Sequence, residues 1–149
     1  MTTPYPRSFT LSPTEWAALW LRHVREHRKE DFWAWEELSE VVQSDPERAW
    51  PVAIALVELA APDELEYVGA GPIEHLIEHH DAAFIDRIEA AASTDPRFRA
   101  ALSTIWLNSL YHPPEIVARV VAASGGVIEP FELDYEKAER EEQEGRGGA

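Results

Sequence analysis

The sequence predicts an all-α domain, built from seven to eight short helices arranged as antiparallel hairpins. Apolar side chains recur at every third or fourth position through most of the chain, which is the period of a helix with one buried face. No segment shows a sustained alternation of apolar and polar residues, so a β-sheet is not expected. Helix-start signals that contain Asp and Pro recur without a fixed period, and they fit either a HEAT-like α-solenoid or a compact helical bundle.

The first helix is predicted to follow an irregular lead-in at residues 1–11, which is rich in Pro and Thr. Ser12 is placed to act as the N-cap, Pro13 opens the first turn, and Glu15 completes a capping box. We expect this helix to run from about 13 to 28. Its polar face gives the N-terminal end a positive charge through Arg22, Arg25, Arg28 and Lys29.

Two further helices are predicted between Asp31 and residue 60. Asp31 is expected to cap the second helix, and Asp45-Pro46 is expected to start the third. Pro51 falls within the first turns of the third helix, where a missing amide donor costs least. The positions that follow the helical period and are predicted to face the core are Phe32, Trp35, Leu38, Val41, Val42, Trp50, Ala53, Ile54 and Val57.

The middle of the chain is predicted to hold three short helices. Pro62-Asp63 starts the first of them, and Gly69-Ala70-Gly71 is expected to stop it. Pro72 opens the next helix, which ends at about His80. Asp81 starts a further helix, which ends at about Ser93.

Two final helices complete the predicted domain at residues 12–126. Asp95-Pro96 opens a helix that continues through Trp106 and Leu110 on its apolar stripe. Pro113-Pro114 opens the last helix, which Gly125-Gly126 ends. Residues 127–149 form an acidic C-terminal segment, which we expect to be partly docked, with a flexible end.

Composition limits the classes of function. The chain has 149 residues, which fits one domain, and no cysteine, which excludes disulfides, thiolate metal sites and a cysteine nucleophile. Its formal net charge is −15, and residues 31–128 alone carry 17 acidic against five basic side chains. Such a field repels nucleic acid and steers a cationic partner toward the surface.

The chain carries no targeting signal that the sequence reveals. The N-terminus lacks the charged head and apolar run of a signal peptide, and no stretch reaches the roughly 18 apolar residues of a spanning helix. The sequence therefore predicts a cytoplasmic protein with no membrane partner. Its frequent use of Ala, Arg and Glu indicates a bacterial source.

The segment GAGPIEHLIEHHD, from Gly69 to Asp81, has the most unusual composition. Its two glycines permit a close backbone approach, and the amides of the helix that follows Pro72 point toward them, as in an anion site. The lysine and Ser or Thr of a phosphate-binding loop are absent, and the neighbouring side chains are acidic. A plain corner between two helices is therefore the favoured interpretation.

The same segment carries a candidate metal site. His75 and His79 are four residues apart, the spacing at which two imidazoles on one helical face chelate a metal. Glu74, Glu78, His80 or Asp81 would supply a third ligand. The HExxH order of a metalloprotease is not met, and solvent-exposed histidines are the more common explanation of such a pair.

Other candidate chemistry is weaker. Paired carboxylates are so frequent in this chain that none indicates a catalytic pair, and no GxSxG elbow supports a serine nucleophile. Asn108, Tyr111 and His112 could line a pocket, although capping and turn roles before Pro113-Pro114 are the favoured interpretation. The sequence thus names no catalytic residue and no cofactor.

Six tryptophans are more than one small core accommodates easily. Trp33 falls off the apolar stripe of its helix and is expected to be exposed, whereas Trp35 is assigned to the core. An exposed Trp beside acidic residues is a typical anchor for a protein partner, and a groove between helices is the alternative place for it. The predicted partner-binding residues are Trp33, Glu36, Glu37 and Glu40.

Three features together resemble a family of small bacterial helical proteins classed as a domain of unknown function. They are the Trp-rich early helix, the GAGPIE turn that enters a Leu-Ile helix, and an Asp-Pro-Arg-Phe start that leads to Leu-x-x-Ile-Trp. The resemblance covers roughly Trp16 to Trp106. It implies a helical fold and no reaction, cofactor or catalytic residue.

These observations favour a non-catalytic, acidic protein-interaction module that binds a basic protein partner. An immunity protein that neutralises a cationic toxin is the most specific form of this hypothesis, because an acidic surface accelerates the encounter with such a partner. The first alternative is a metal-binding or hydrolytic enzyme that uses His75, His79 and His80. The second is an adaptor or structural α-solenoid, and the oligomeric state is not predicted.

Overall fold

A computed structural model describes residues 7–147 of the protein. Residues 1–6 of the predicted lead-in and residues 148–149 lie outside this range. The described chain is all-α, as the sequence predicts. Its α-helices are α1 (Pro13–Glu26), α2 (Phe32–Ser44), α3 (Pro46–Leu59), α4 (Leu65–Val68), α5 (Glu74–Thr94), α6 (Pro96–Leu102), α7 (Pro114–Ala123) and α8 (Tyr135–Gly147). Short 3-10 turns cover Arg7–Thr10, Lys29–Asp31, Pro62–Glu64 and Ser109–Tyr111.

The packing corresponds to a compact helical bundle. In a solenoid each repeat contacts only its neighbours along the chain. Here α1 packs against α3 as well as α2, α2 packs against α5, and α3 packs against α6. The largest fully buried side chains at the centre of this arrangement include Trp16, Trp20, Phe84 and Phe98.

The predicted helix starts at Ser12 and Asp95 are confirmed. The Glu15 amide donates a hydrogen bond of 3.1 Å to Ser12 Oγ, and the Ser12 amide donates one of 3.0 Å to Glu15 Oε1. At the start of α6, Asp95 Oδ1 accepts a hydrogen bond of 2.9 Å from the Arg97 amide. These contacts satisfy amide groups that have no partner within the helix.

The predicted positive charge of the α1 face is largely neutralised by ion pairs within the fold. Asp31 does not cap α2, because its carboxylate accepts two hydrogen bonds of 2.6 Å from the Arg22 guanidinium. The sequence could not reveal these partners, since each arginine has several carboxylates within reach. The pairs are Arg22–Asp31, Arg25–Glu64 and Arg28–Glu30.

The predicted buried face of α2 is confirmed at Leu38, Val41 and Val42, but not near the start of the helix. The apolar period also assigns Phe32 and Trp35 to the core, but these residues are 43% and 40% exposed, and Ala34 is buried instead. Trp16 of α1 packs at this point and donates a hydrogen bond of 2.9 Å from Nε1 to the Ala34 carbonyl. Ala34 shares a helix face with the buried Leu38 and Val41, whereas Trp35 lies at the edge of that face. Trp33 is half-buried and packs against the core.

The helical backbone does not end at Gly69–Gly71, contrary to the prediction. Gly69 has a helical φ of −65°, and Gly69–Ile73 forms one π-helical turn that leads directly into α5. A Cβ atom at Gly69 would collide with the Ala101 carbonyl and the Thr104 hydroxyl, so the glycine permits close contact with α6. The favoured interpretation as a corner between two helices is therefore wrong, because helical backbone continues from α4 into α5. α5 kinks at His80, where the sequence predicts two separate helices.

The helix predicted to continue through Leu110 instead ends at Leu102. Residues 103–113 form an irregular connection to α7, which we call the α6–α7 loop. Trp106 lies on this loop and is 72% exposed, so its predicted burial is wrong.

The C-terminal segment docks on the α6–α7 loop. Gly125 and Gly126 have φ values of 79° and 77° and end α7, as predicted. The Phe131 amide then donates a hydrogen bond of 3.0 Å to the Leu107 carbonyl, and the Ser109 amide donates one of 2.8 Å to the Phe131 carbonyl. α8 follows and buries no residue, and the flexibility expected of this end stays a prediction.

Within residues 7–147, no helix combines the length and the apolar character needed to cross a membrane.

Candidate functional site

A pocket of about 560 Å³ lies where α5, the α6–α7 loop and the C-terminal segment meet. Two carboxylates from the start of α5, Glu74 and Glu78, form one part of its wall. Four aromatic side chains contribute most of the remainder: Trp106, Tyr111, Phe131 and Tyr135. Asn108 and His112 complete the lining. We call this site the acidic–aromatic pocket.

The two carboxylates stand one helical turn apart on α5. Glu74 follows the π-helical turn directly, and its Oε1 accepts a hydrogen bond of 2.5 Å from the Trp106 amide. Burial raises the pKa of the Glu74 carboxyl, and the charge of Glu78 raises it further, while the Trp106 amide acts in the opposite direction. A cation bound here would relieve the unfavourable environment of the Glu74 charge.

The aromatic side chains form two pairs. The rings of Trp106 and Phe131 meet nearly at right angles, at 82°, with their centroids 5.9 Å apart. The rings of Tyr111 and Tyr135 are parallel within 3°, with centroids 6.1 Å apart. The faces of such rings carry negative potential and attract cations. The large exposed area of Trp106 is therefore chemically suited to a flat, positively charged group.

Asn108 holds the C-terminal wall of the pocket in place. Its Oδ1 accepts hydrogen bonds of 3.2 Å from the Leu110 and Leu133 amides, and its Nδ2 donates one of 2.7 Å to the Leu133 carbonyl. The two roles considered for Asn108 therefore coincide, since it caps a turn and also lines the pocket. The pairing with Leu133 positions the segment that carries Phe131 and Tyr135.

The buried His112 pairs with the partly exposed Asp81 at the edge of the pocket. His112 Nδ1 lies 2.8 Å from Asp81 Oδ2, and only 3% of the histidine side chain is exposed. Asp81 is itself held by the Ala82 amide, which donates to Oδ1 at 2.6 Å. This pairing places the proton of a neutral imidazole on Nδ1 and leaves Nε2 as an acceptor. The pair anchors the α6–α7 loop to α5 and resembles the base-and-orienter arrangement of hydrolases.

The structure does not assemble a three-ligand metal site at the predicted histidines. His79 is exposed, His75 is half-buried, and the His80 ring nitrogen Nε2 lies 2.9 Å from the Val42 carbonyl. Within residues 7–147, no three His, Asp or Glu side chains come close enough to hold a metal ion. Among these residues the pair of His75 and His79 thus has no third ligand, and metal binding stays a prediction.

The predicted partner-binding residues on α2 divide into two groups. Trp33 lies under the N-terminal segment, with the Arg7 guanidinium 5.6 Å from its ring centroid. Glu37 accepts hydrogen bonds of 3.0 and 2.7 Å from the Arg7 and Ser8 amides, so its carboxylate holds this segment. The predicted residues that remain exposed are Glu36 and Glu40.

Sequence reasoning identifies only part of the pocket. It names Asn108, Tyr111 and His112 as possible lining residues, whereas it assigns Trp106 to a helix core. The polar pair Ser103-Thr104, followed by Asn108 and two prolines, is the available signal that the helix ends early. No sequence signal places the C-terminal Phe131 opposite Trp106.

Comparison with known proteins gives a family match without a function. The model of a family described as a family of unknown function, DUF6869, matches residues 22–127, which is more than half of the chain. No curated protein and no solved structure matches the chain. The matched range includes both carboxylates and the α6–α7 loop, and it ends before Phe131 and Tyr135.

Proposed function

We propose that this chain, which belongs to the family of unknown function DUF6869, is a non-catalytic module that binds a basic protein partner at the acidic–aromatic pocket. The observation that supports the proposal is the joint presence of Glu74, Glu78 and four aromatic rings around one open cavity. Carboxylates and aromatic faces both stabilise a cation, and partial burial strengthens each interaction.

The charge distribution supports the same proposal. Six arginines pair with carboxylates of the chain itself: Arg22, Arg25, Arg28, Arg87, Arg119 and Arg146. With a net charge of −15, many carboxylates remain to face solvent. A long-range negative field raises the association rate of a basic protein and weakens as salt is added. The pocket would then fix the orientation of the partner.

A specific form of the proposal is an immunity-type role in the bacterial cytoplasm. A toxin that acts on nucleic acid presents a cationic surface, and an acidic module covers such a surface without any chemistry of its own. The partner would insert a basic side chain into the pocket as its anchor, because buried anchors contribute most of the energy of an interface.

The experiment compares two double variants that remove the same charge at the same helical spacing. Glu74→Gln with Glu78→Gln changes the pocket, and Glu36→Gln with Glu40→Gln changes the exposed face of α2. A fluorescent peptide that contains Arg, Lys and Leu serves as the probe, and its affinity is measured by anisotropy at low and high salt. We expect the pocket variant to bind about tenfold more weakly and the α2 variant to change by less than about twofold.

The control variant also tests the α2 surface predicted from the sequence. Equal weakening by both double variants would mean that the probe follows net charge alone, which would refute a defined docking site. Stronger weakening by the α2 variant would move the docking site to Glu36 and Glu40. Melting curves of both variants establish that each remains folded.

A hydrolytic enzyme is the second candidate function, and the pair of His112 and Asp81 is the observation that favours it. Asp81 orients the imidazole so that Nε2 could act as a base at the pocket. Hydrolysis of p-nitrophenyl acetate by the wild type and by the His112→Gln variant separates the two candidates. Equal rates agree with the binding module, whereas a rate that depends on His112 would support the enzyme.

A further inference from the structure

We infer that the acidic–aromatic pocket receives a guanidinium group, the end of an arginine side chain from the partner, between its carboxylates and the ring of Trp106. This inference rests on the proposed function and specifies the chemical group that the pocket selects. Three observations support a guanidinium over an ammonium: the arrangement of the carboxylates, the flat aromatic wall, and the way the fold binds its own arginines.

The carboxylates offer two separate acceptors. Glu74 uses Oε1 for the Trp106 amide, which leaves Oε2 for a ligand, and Glu78 stands one helical turn away on the same wall. Side chains four residues apart on a helix lie about 5–6 Å from each other at Cβ. A guanidinium carries five N–H donors in a rigid planar fork and reaches two acceptors at once, whereas an ammonium is a compact point charge.

The aromatic wall favours a planar cation. Trp106 and Phe131 meet at 82°, so a flat group that stacks on the exposed indole presents its edge to the neighbouring ring. Guanidinium is also hydrated more weakly than ammonium, and it therefore loses less solvation in a pocket that is partly apolar. The volume of about 560 Å³ leaves room for the aliphatic part of an arginine side chain.

The fold contains an internal example of the same arrangement. Arg87 donates hydrogen bonds of 2.8 Å to both carboxylate oxygens of Glu47, and its guanidinium carbon lies 4.5 Å from the centroid of the Phe84 ring. One guanidinium thus contacts a carboxylate and an aromatic ring together. The acidic–aromatic pocket presents these two partners with no guanidinium of the described chain between them.

Small amides test the inference without an identified partner. The Nα-acetylated forms of L-argininamide, L-lysinamide and L-citrullinamide are titrated into the ¹⁵N-labelled full chain, and the citrulline side chain serves as the uncharged isostere of the arginine side chain. The indole N–H resonance of Trp106, assigned with the Trp106→Phe variant, reports occupancy of the pocket. We expect argininamide to bind at least about fivefold more tightly than lysinamide, and citrullinamide not to shift this resonance.

Variants then connect the signal to the carboxylates. Glu74→Gln with Glu78→Gln is expected to weaken argininamide binding by about tenfold, since the charge-assisted hydrogen bonds are lost. The side-chain amide oxygen introduced by Glu74→Gln would still accept the Trp106 amide, so the loop is retained, and melting curves check this. Glu36→Gln with Glu40→Gln is the control of equal charge and is expected to leave the affinity within about twofold.

The outcomes separate this inference from the proposed function. Equal affinity for lysinamide and argininamide would overturn the guanidinium assignment. The proposed docking function would still hold in that case if binding of the cationic peptide depended on Glu74 and Glu78. Argininamide that binds equally well to the pocket variant would also overturn the assignment. If the cationic peptide shows no dependence on the pocket either, the proposed function fails as well.

Discussion

Substitution of Gly69 by alanine tests the close contact that places the acidic–aromatic pocket. The new methyl group would collide with the backbone carbonyl of Ala101 in α6 and with the Thr104 hydroxyl. A backbone carbonyl does not move without its helix, so we take the upper end of the overpacking range, about 3 kcal/mol. Alanine recovers about 1 kcal/mol of helix propensity at this helical position. The net loss in the free energy of unfolding is then about 2 kcal/mol.

Gly71→Ala is the matched control in the same turn. A Cβ atom there would meet Trp20 Cζ2 at 3.6 Å, which is an ordinary van der Waals distance. The contact of the new Cβ atom with the Pro72 ring offsets part of the helix propensity that alanine gains, so this variant should stay within about 1 kcal/mol of the wild type. For a chain of this length, the melting temperature of Gly69→Ala should fall by about 4–8 °C, which thermal and urea unfolding followed by circular dichroism will measure. If Gly69→Ala were as stable as the wild type, or if both variants lost the same free energy of unfolding, the packing argument would be refuted.

Two further predictions concern buried charge. Arg22→Ala leaves the Asp31 carboxylate, only 2% exposed, without its partner, and it should lower the free energy of unfolding by about 2 kcal/mol in urea titrations. Arg28→Ala, which breaks an exposed pair, should cost less than about 1 kcal/mol, and equal losses would contradict the role of burial. Glu74→Gln should raise the melting temperature at pH 7, because the raised pKa of Glu74 means that its charge opposes folding. The difference should vanish as the pH falls below 4.5, the ordinary pKa of this carboxyl, where the wild-type side chain is also neutral; a gain that persists there would contradict the electrostatic cause.

The helix starts at Ser12 and Asp95 were predictable because their interactions are local. The capping box of Ser12 and Glu15 joins residues three apart, so the sequence contains both partners and their spacing. The burial of Ala34 and the exposure of Trp35 in α2 were not predictable in this way. The two residues are neighbours, about 100° apart around the helix axis, and an apolar period favours the larger Trp35 for the buried face. Contact with Trp16, eighteen residues earlier, decides between them.

The α6–α7 loop shows how distant partners override the local helical pattern. The Ser103 hydroxyl donates a hydrogen bond of 2.7 Å to the Arg99 carbonyl. The Trp106 amide donates to the Glu74 carboxylate, 32 residues earlier in the chain, in place of the carbonyl that it would have met in a continued helix. The Phe131 amide then pairs with the Leu107 carbonyl, a contact that no local pattern reveals.

The exposure of Trp106 links this loop to the proposed function. The periodicity that predicts a continuous helix would place Trp106 in the core, where burial of an aromatic side chain contributes about 1.5–3 kcal/mol. The folded chain leaves 72% of this residue exposed and partly buries the Glu74 carboxyl beside it. Each arrangement is unfavourable for the isolated domain, and each becomes favourable when a planar cation covers the indole and pairs with the carboxylate. Departures from local preference concentrate at functional sites, so the place where the helical prediction fails is itself an argument that the pocket binds a ligand.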